Sequence, residues 1–320
     1  MKAWMLEPND LSLKLAEIDR PSPGPGQMLV RVHSAAMNRG ELLQGAKKTT
    51  QAKVSGIESA GVVEAVGASV SAFSVGDRVM GRAMGGFAEY TLIDHRDAIG
   101  VPDSLDWLSA AALPIASLVA YDMLIPEGGL ESGQTLLVTG IASGVGVACL
   151  QIATAMGARV IGTSGSAAKL ERLKPLGLEL GVATRGDDFV DQVMAQTEGR
   201  GVDLAIDSVG GSQFASCLNC LGYMGRLAIV GHVDGIFTAP IDLGAVHRKR
   251  LRVFGVSNAM RTAAQREATV AGFIRDVMPM VADGRIKPLI DRVLPFSEVP
   301  QAQRAMLDNI HVGKIVVSMN

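Results

Sequence analysis

The chain has 320 residues, a formal net charge of −2 and 37 glycines. That length suits about two domains around a large core. The near-neutral balance, with no dense Lys/Arg tract and no aromatic-basic interleaving, argues against nucleic acid as a partner. Glu7 and Pro8 come too early for a secretory signal. The longest apolar run, residues 110–125, is interrupted by Pro114, Ser117 and Asp122 and does not suit a bilayer span. A cytoplasmic protein with no membrane contact is the expectation.

In chain order, residues 4–6, 11–15 and 28–33 read as short strands, with the rigid loop PSPGPG (21–26) between the last two. Residues 61–67, 77–80 and 86–93 continue an irregular β-rich region. A helical zone runs from about Ser104 to Leu124, and Pro114 must break it or begin a helix. An apolar strand at 136–139 then enters a glycine-rich turn and an amphipathic helix, QTLLVTGIASGVGVAC (134–149). Further strand candidates lie at 158–163, 180–183, 202–207, 225–230 and 253–256, with helical patterns between several of them. Strand alternating with helix implies a doubly wound parallel sheet. The tail offers a long helix at 262–282 that Pro279 should kink or end, an apolar segment at 286–290, a helix at 299–307 and a closing strand at 313–318.

The turn at 140–146 carries the chemistry. Small residues at Gly140, Ser143, Gly144 and Gly146, with Val145 between, let a backbone approach a dinucleotide pyrophosphate at a helix N-terminus. The match to G-x-G-x-x-G is not strict, because Ile141 and Ser143 stand in the first two glycine slots. A plain strand-to-helix corner is the alternative. The next strand ends in Thr163, Ser164 and Gly165, without the acid that holds the ribose 2′-hydroxyl of NAD. Lys169 follows, and Arg185 comes after the third strand. This acid-free turn with nearby cations suits the 2′-phosphate of NADPH; the alternative is that both are ordinary surface charges. Cys217 and Cys220 form a C-x-x-C inside a helical pattern. Packed thiols are a better reading there than a redox pair, which prefers an exposed helix start.

Taken in register, AAMN (35–38), SGIESAGVVEAVG (55–67), VGDRV (75–79), GGFAEY (85–90), the glycine turn, DLAIDSVG (203–210) and GKIVV (313–317) resemble the medium-chain dehydrogenase/reductase superfamily. Within it the chain looks like the zinc-independent quinone oxidoreductase (zeta-crystallin-like) branch. The resemblance implies an α/β fold in which a Rossmann sheet, residues 118–257, is inserted in a GroES-like β-rich catalytic domain, residues 1–117 plus 258–320. It also implies an active site in the cleft between them. Zinc members carry Cys at position 38 and His at position 57, where this chain has Asn38 and Ile57. The five histidines are scattered, so no metal is expected.

Without a metal, hydride from NADPH suits acceptors that stabilise the added charge themselves, namely quinones and conjugated carbonyls. The first expectation is therefore quinone reduction. An alkenal, enone or enoyl-thioester reductase is the alternative, weakened by Leu42 and Leu43 where relatives often have a tyrosine acid. A non-enzymatic NADPH-binding structural or regulatory protein is a further alternative. The resemblance assigns Asn38 to orienting the nicotinamide or the acceptor, Ser208, Val209 and Gly231 to the nicotinamide side, and Lys169 and Arg185 to the 2′-phosphate. Glu41 is a candidate proton donor beside the substrate, with a solvated carboxylate as the plainer role. Val119 and Thr184 replace a Thr and a Tyr common in relatives. Glu58 and Lys314 are expected to pair near the cleft floor. The family usually dimerises through the last Rossmann strand, here residues 251–256, so a homodimer is expected.

Overall fold

The computed structural model describes residues 1–8, 12–40 and 51–319. In chain order the strands are β1 (Lys2–Leu6), β2 (Leu13–Glu17), β3 (Gln27–Ala36), β4 (Lys53–Val54), β5 (Glu58–Val66), β6 (Arg78–Ala83), β7 (Tyr90–Gly100), β8 (Thr135–Val138), β9 (Arg159–Ser164), β10 (Leu178–Ala183), β11 (Val202–Asp207), β12 (Leu221–Ile229), β13 (Arg252–Gly255), β14 (Ile290–Pro295) and β15 (Lys314–Ser318). The helices are α1 (Trp107–Ala112), α2 (Pro114–Leu124), α3 (Gly144–Ala155), α4 (Ala167–Glu171), α5 (Val190–Gln196), α6 (Gly211–Cys220), α7 (Leu243–Lys249), α8 (Ala263–Asp276), α9 (Met278–Ala282) and α10 (Val299–Leu307). The chain divides into two compact units. One comprises residues 1–118, 262–282 and 287–320, the other residues 119–261 and 283–286.

In the first unit β3 pairs antiparallel with both β5 and β7, and β6 bridges those two, so four strands close on themselves. Met28, Val30, Val63, Val79, Ile93 and Ala98 fill this ring. β15 adds antiparallel to β3, and β14 lies parallel to β15. The end of the chain thereby completes a sheet begun near its start. α10 presents Val299, Ala302, Ala305 and Met306 to a second core with Trp4, Val32, Met37, Phe87, Ile315 and Val317. Burying such side chains is worth roughly 1.5–3 kcal/mol each. The Trp4 indole N–H donates to Phe296 O at 2.8 Å, which satisfies the polar edge of a buried aromatic.

The second unit is a six-stranded sheet in the order β10-β9-β8-β11-β12-β13, parallel throughout. Its central strands β8, β9 and β11 are short apolar runs buried on both faces, as parallel strands covered by helices require. On one side Leu137, Ile161, Val182, Ala205 and Leu227 pack with Phe189, Val193, Phe214, Cys217 and Leu218. Strand order reverses between β8 and β11. In open α/β sheets, ligands bind at the carboxyl ends of strands at such a point.

Several elements differ from the pattern reading. The expected helix at 262–282 is two helices, with Val277 (φ −112°) between them. Thr262 and Gln265 form a capping box at its start, while Pro279 falls in the first turn of the second piece, where no amide is required. The apolar segment at 286–290 leads into a strand that the pattern did not show, β14, which begins at Ile290. β7 starts at Tyr90 and runs on to Gly100. The basic stretch before β13 is the end of a helix, α7. Asp242 caps it by accepting from Ala245 N at 2.9 Å, and His247, Arg248 and Lys249 lie in its last turn, where cations favour the dipole. Cys217 and Cys220 are buried free thiols on α6. Among the described residues no helix is long and apolar enough to cross a membrane.

Candidate functional site

The turn from β8 into α3 explains the departure from the glycine fingerprint. Ile141, in the first glycine slot, is fully buried. Its side chain turns onto β9, where Gly162 leaves room: a Cβ at Gly162 would lie 2.4 Å from Ile141 Cδ1. A Cβ at Gly146 would meet the Ile141 backbone at 2.6 Å, so the last glycine slot is needed for the helix to cross the turn. The volume added at position 141 is thus accommodated by its absence at 162. Ser143, in the second slot, is the N-cap of α3, accepting from Gly146 N at 3.0 Å. Gly144 and Val145 are in the first turn, where amides have no intrahelical acceptor and the dipole favours an anion. Gly140 has φ +63°, the left-handed conformation that glycine adopts at no steric cost.

At the end of β9, Thr163 and Ser164 are buried strand residues, and Thr163 O accepts from Ile141 N at 3.0 Å. Gly165 is exposed, and Ser166 caps α4, its hydroxyl accepting from the Lys169 amide. Arg185, just past β10, lies across this turn. A Cβ on Gly165 would sit 2.7 Å from Arg185 Cγ and 2.8 Å from its Nε. Arg185 is exposed and takes part in no ion pair among the described residues. Thr184 N donates to Ser164 O at 2.9 Å, fixing the two strand ends to each other.

The turn after β11 is locked to the turn after β8. Asp207, 1% exposed, accepts at one oxygen from Val209 N (2.9 Å), Gly210 N (3.1 Å) and the Thr139 hydroxyl (3.1 Å). Burial raises its pKa above the ordinary carboxylate value, and those three hydrogen bonds only partly oppose it. Ser208 donates its hydroxyl to Thr139 O at 2.5 Å, and its amide donates to Thr139 Oγ1 at 3.1 Å. A Cβ on Gly140 would meet Ser208 Oγ at 2.8 Å, and one on Gly231 would meet Ser208 O at 2.7 Å. Gly140, Ser208 and Gly231, distant in sequence, therefore converge at the strand-order reversal.

In the first unit a buried polar cluster surrounds Glu58, which is fully buried at the start of β5. Lys314 Nζ donates to Glu58 Oε1 at 2.5 Å, to Asn38 Oδ1 at 2.9 Å and to Met37 O at 3.2 Å. Asn38 Nδ2 donates to the same Glu58 oxygen at 2.7 Å. The other Glu58 oxygen accepts from Ile115 N at 2.8 Å, in the first turn of α2. A buried ammonium and carboxylate are tolerated when both are hydrogen-bonded to this extent. The expected Glu58–Lys314 pair is therefore formed.

Comparison with known proteins decides the family. Residues 24–103 match the model of the alcohol dehydrogenase GroES-like domain, and residues 144–274 match that of the zinc-binding dehydrogenase domain. The human synaptic vesicle membrane protein VAT-1 homolog is 31% identical over 316 residues, covering 93% of this chain and 80% of its own length. The chain belongs to the medium-chain dehydrogenase/reductase family. Solved structures similar to this medium-chain dehydrogenase/reductase include mycobacterial Rv1454c complexed with NADPH, at TM-score 0.88, 27% identity and coverage of 99% of this chain and 100% of that one. A mycobacterial quinone oxidoreductase has TM-score 0.86 and 26% identity, with 99% of each chain covered. CurK enoyl reductase has TM-score 0.85 and 26% identity, with 100% of this chain and 99% of that one covered. The chain is an NAD(P)-dependent oxidoreductase of this family with a GroES-like β unit and a six-stranded Rossmann sheet.

In this medium-chain dehydrogenase/reductase, two residues named from the sequence have side chains engaged within the protein. The Ser208 hydroxyl donates to Thr139 O. Asn38 is tied at both ends of its amide, to Glu58 and to Lys314, so its orientation is fixed from within the protein. Glu41, Leu42 and Leu43, and the segment 46–50, lie outside the described residues. Val119 is half-buried on α2. Sequence reasoning passed over Thr139 and Asp207 as a lock between two turns. A polar residue ending each of two neighbouring apolar strands was the available signal.

Proposed function

We propose that this protein transfers hydride from NADPH to a quinone-like acceptor without a metal ion. The observation that carries the cofactor preference is Arg185, an exposed guanidinium in no ion pair among the described residues, lying across the acid-free turn at Gly165. A 2′-phosphate takes charge-assisted hydrogen bonds from such a group, and a ribose 2′-hydroxyl does not need them. Thr163 and Ser164 end the strand that enters this turn, and Lys169 is on the helix that leaves it. The solved NADPH complex of a protein of this fold supports the same reading.

NADPH, when bound, supplies the hydride; the chain's residues bind and orient. The first amides of α3, at Gly144 and Val145, take the pyrophosphate. Gly140, Val209 and Gly231 bring backbone to the nicotinamide end, and the Ser208–Thr139 bond keeps those turns in place. Asn38, held by Glu58 and Lys314, offers a fixed dipole in the catalytic unit. A catalytic zinc needs about three N, S or O ligands. Asn38 and Ile57 occupy positions where zinc relatives by resemblance carry Cys and His. Among the described residues no group of three or more His, Cys, Asp or Glu is placed to hold a metal ion. The donor set among the described residues supports a reading without zinc.

An acceptor reduced without a Lewis acid has to delocalise the incoming charge itself, as a quinone does. Quinone reduction needs no protein acid, because solvent can protonate the hydroquinone. Residues 39–52 contain no tyrosine, which favours a quinone over an enoyl substrate. The likeness to CurK enoyl reductase supports the second reading, reduction of an enone, alkenal or enoyl thioester. Following NADPH absorbance with para-quinones, ortho-quinones, alkenals and enoyl thioesters separates them. Turnover with quinones, and weaker binding of NADH than NADPH, is expected. Turnover confined to enoyl thioesters would establish the second reading. Tight NADPH binding with no acceptor turned over would favour a binding protein instead.

Homodimerisation through β13 is part of the same proposal. β13 is the edge strand of its sheet, and Val253 on it is 38% exposed. Exposed edges of this kind invite pairing with a second copy. A monomer mass by light scattering would remove it.

A further inference from the structure

The loop after β10 carries both signs of charge: Arg185 is followed by Gly186, Asp187 and Asp188. Its conformation therefore decides whether a cation or an anion faces the turn at Gly165. In the structure Arg185 lies across Gly165, while the Asp188 carboxylate accepts from the Thr184 hydroxyl. Thr184 Oγ1 also accepts from Gly186 N at 2.9 Å. Two side chains of α6 grip the loop from below. Gln213 Nε2 donates to Gly186 O at 2.9 Å, and Ser216 Oγ donates to Asp187 O at 2.9 Å. Gln213 is 2% exposed and Ser216 7%. Both face carbonyls of an exposed loop from within a packed helix.

Gln213 shows that its donor, not its bulk, is what this position uses. Its Oε1 is buried with no partner among the described residues. A buried acceptor left unsatisfied is costly, and an apolar side chain of the same shape would avoid that cost. The amide nonetheless points its N–H at Gly186 O. The bond to Gly186 O is the hydrogen bond its polar end makes among the described residues.

We infer that Gln213 and Ser216 are positioning residues that set the preference for NADPH over NADH, by holding the 185–188 loop so that its arginine and not its aspartates faces the 2′-substituent. This rests on the proposed role of Arg185, and the test separates the two. Affinities of the full-length protein for adenosine 2′,5′-bisphosphate and 5′-AMP are measured by calorimetry. The variants are Arg185→Ala, Gln213→Met, Ser216→Ala, the Gln213→Met/Ser216→Ala double, and Ser216→Thr. The wild type should prefer the bisphosphate, and Arg185→Ala should erase most of that preference. The double variant should lose about tenfold in bisphosphate affinity with 5′-AMP unchanged, each single variant part of that, and Ser216→Thr should retain it. Either single variant suffices if the double does not fold. An unchanged preference in the Gln213 and Ser216 variants, with Arg185→Ala behaving as expected, overturns the inference and leaves the role of Arg185 intact. Equal loss for both ligands also overturns it, since that marks a general structural role. No preference in the wild type, or none lost in Arg185→Ala, removes both.

Discussion

Glu58 and Asp207 are both carboxylates buried at the ends of strands, one in each unit, and they are stabilised in opposite ways. Glu58 meets a full opposite charge: Lys314 Nζ lies 2.5 Å away, and Asn38 and Ile115 N complete its hydrogen bonds. Asp207 meets only neutral donors, two amides and a hydroxyl. Burial therefore raises the Asp207 pKa. Paired charges lock three distant segments, at 37–38, 58 and 314, into one unit. Neutral dipoles lock two turns together at the carboxyl ends of β8 and β11. In the proposed cofactor site an extra fixed charge would compete with the nucleotide; in the first unit a charged pair serves as glue.

Replacing one partner of the charged pair tests the contrast most severely. Lys314→Met leaves Glu58 buried and uncompensated, and should cost about 3–5 kcal/mol of stability in urea unfolding. The double variant Glu58→Gln/Lys314→Met should recover most of it. A Lys314→Met loss below about 1 kcal/mol would mean that the pair is not what stabilises Glu58.

Asp207 should respond differently to charge removal and to side-chain removal. Asp207→Ala strands two amides and a hydroxyl, at a cost of about 1–3 kcal/mol. Asp207→Asn keeps an acceptor oxygen and should stay within about 1 kcal/mol of wild type. The pH dependence has a definite sign. Because the native carboxyl is the weaker acid, the unfolded chain releases its proton first as pH rises. Wild-type stability relative to Asp207→Asn should therefore be greatest below the ordinary carboxylate pKa, and decline as pH rises from there through the raised native value. A difference that grows with pH would show that the anion is stabilised after all.

The smallest effect concerns the three buried thiols of the second unit. Burial pushes Cys149 and Cys220 up to about 12, and Cys217 is raised first by burial and then by the charges of Asp207 and Cys220. The thiolate is the reactive form. At neutral pH none of the three should label with a thiol reagent until the protein unfolds, and stopped-flow labelling in native buffer would expose any that does.

Much of the second unit was legible because its rules are local. Strand, small-residue turn and helix at 134–149, the missing acid after β9 and the cation at Arg185 are all readable from order and residue type. Helix α7 also left a local signal, Asp242 at its start and three basic residues in its last turn. The break at Val277 was signalled by Pro279 only to within a turn, since a proline fits a first turn as well as an interruption. The irregular strands of the first unit were placed less well, because pairing partners, not periodicity, set where β7 and β14 begin.

The amino-acid order by itself determined which residues this protein has available: a small-residue turn entering a helix, an acid-free second turn with a cation near it, and no Cys or His at positions 38 and 57. It could not say how Ile141 is tolerated in a glycine slot, or which oxygen receives the Ser208 proton, or what holds Arg185 across Gly165. Those answers depend on Gly162, Thr139, Gln213 and Ser216, each separated in sequence from the residue it serves. Packing and hydrogen bonding act through space at a few ångströms, so only the folded chain brings such partners within range.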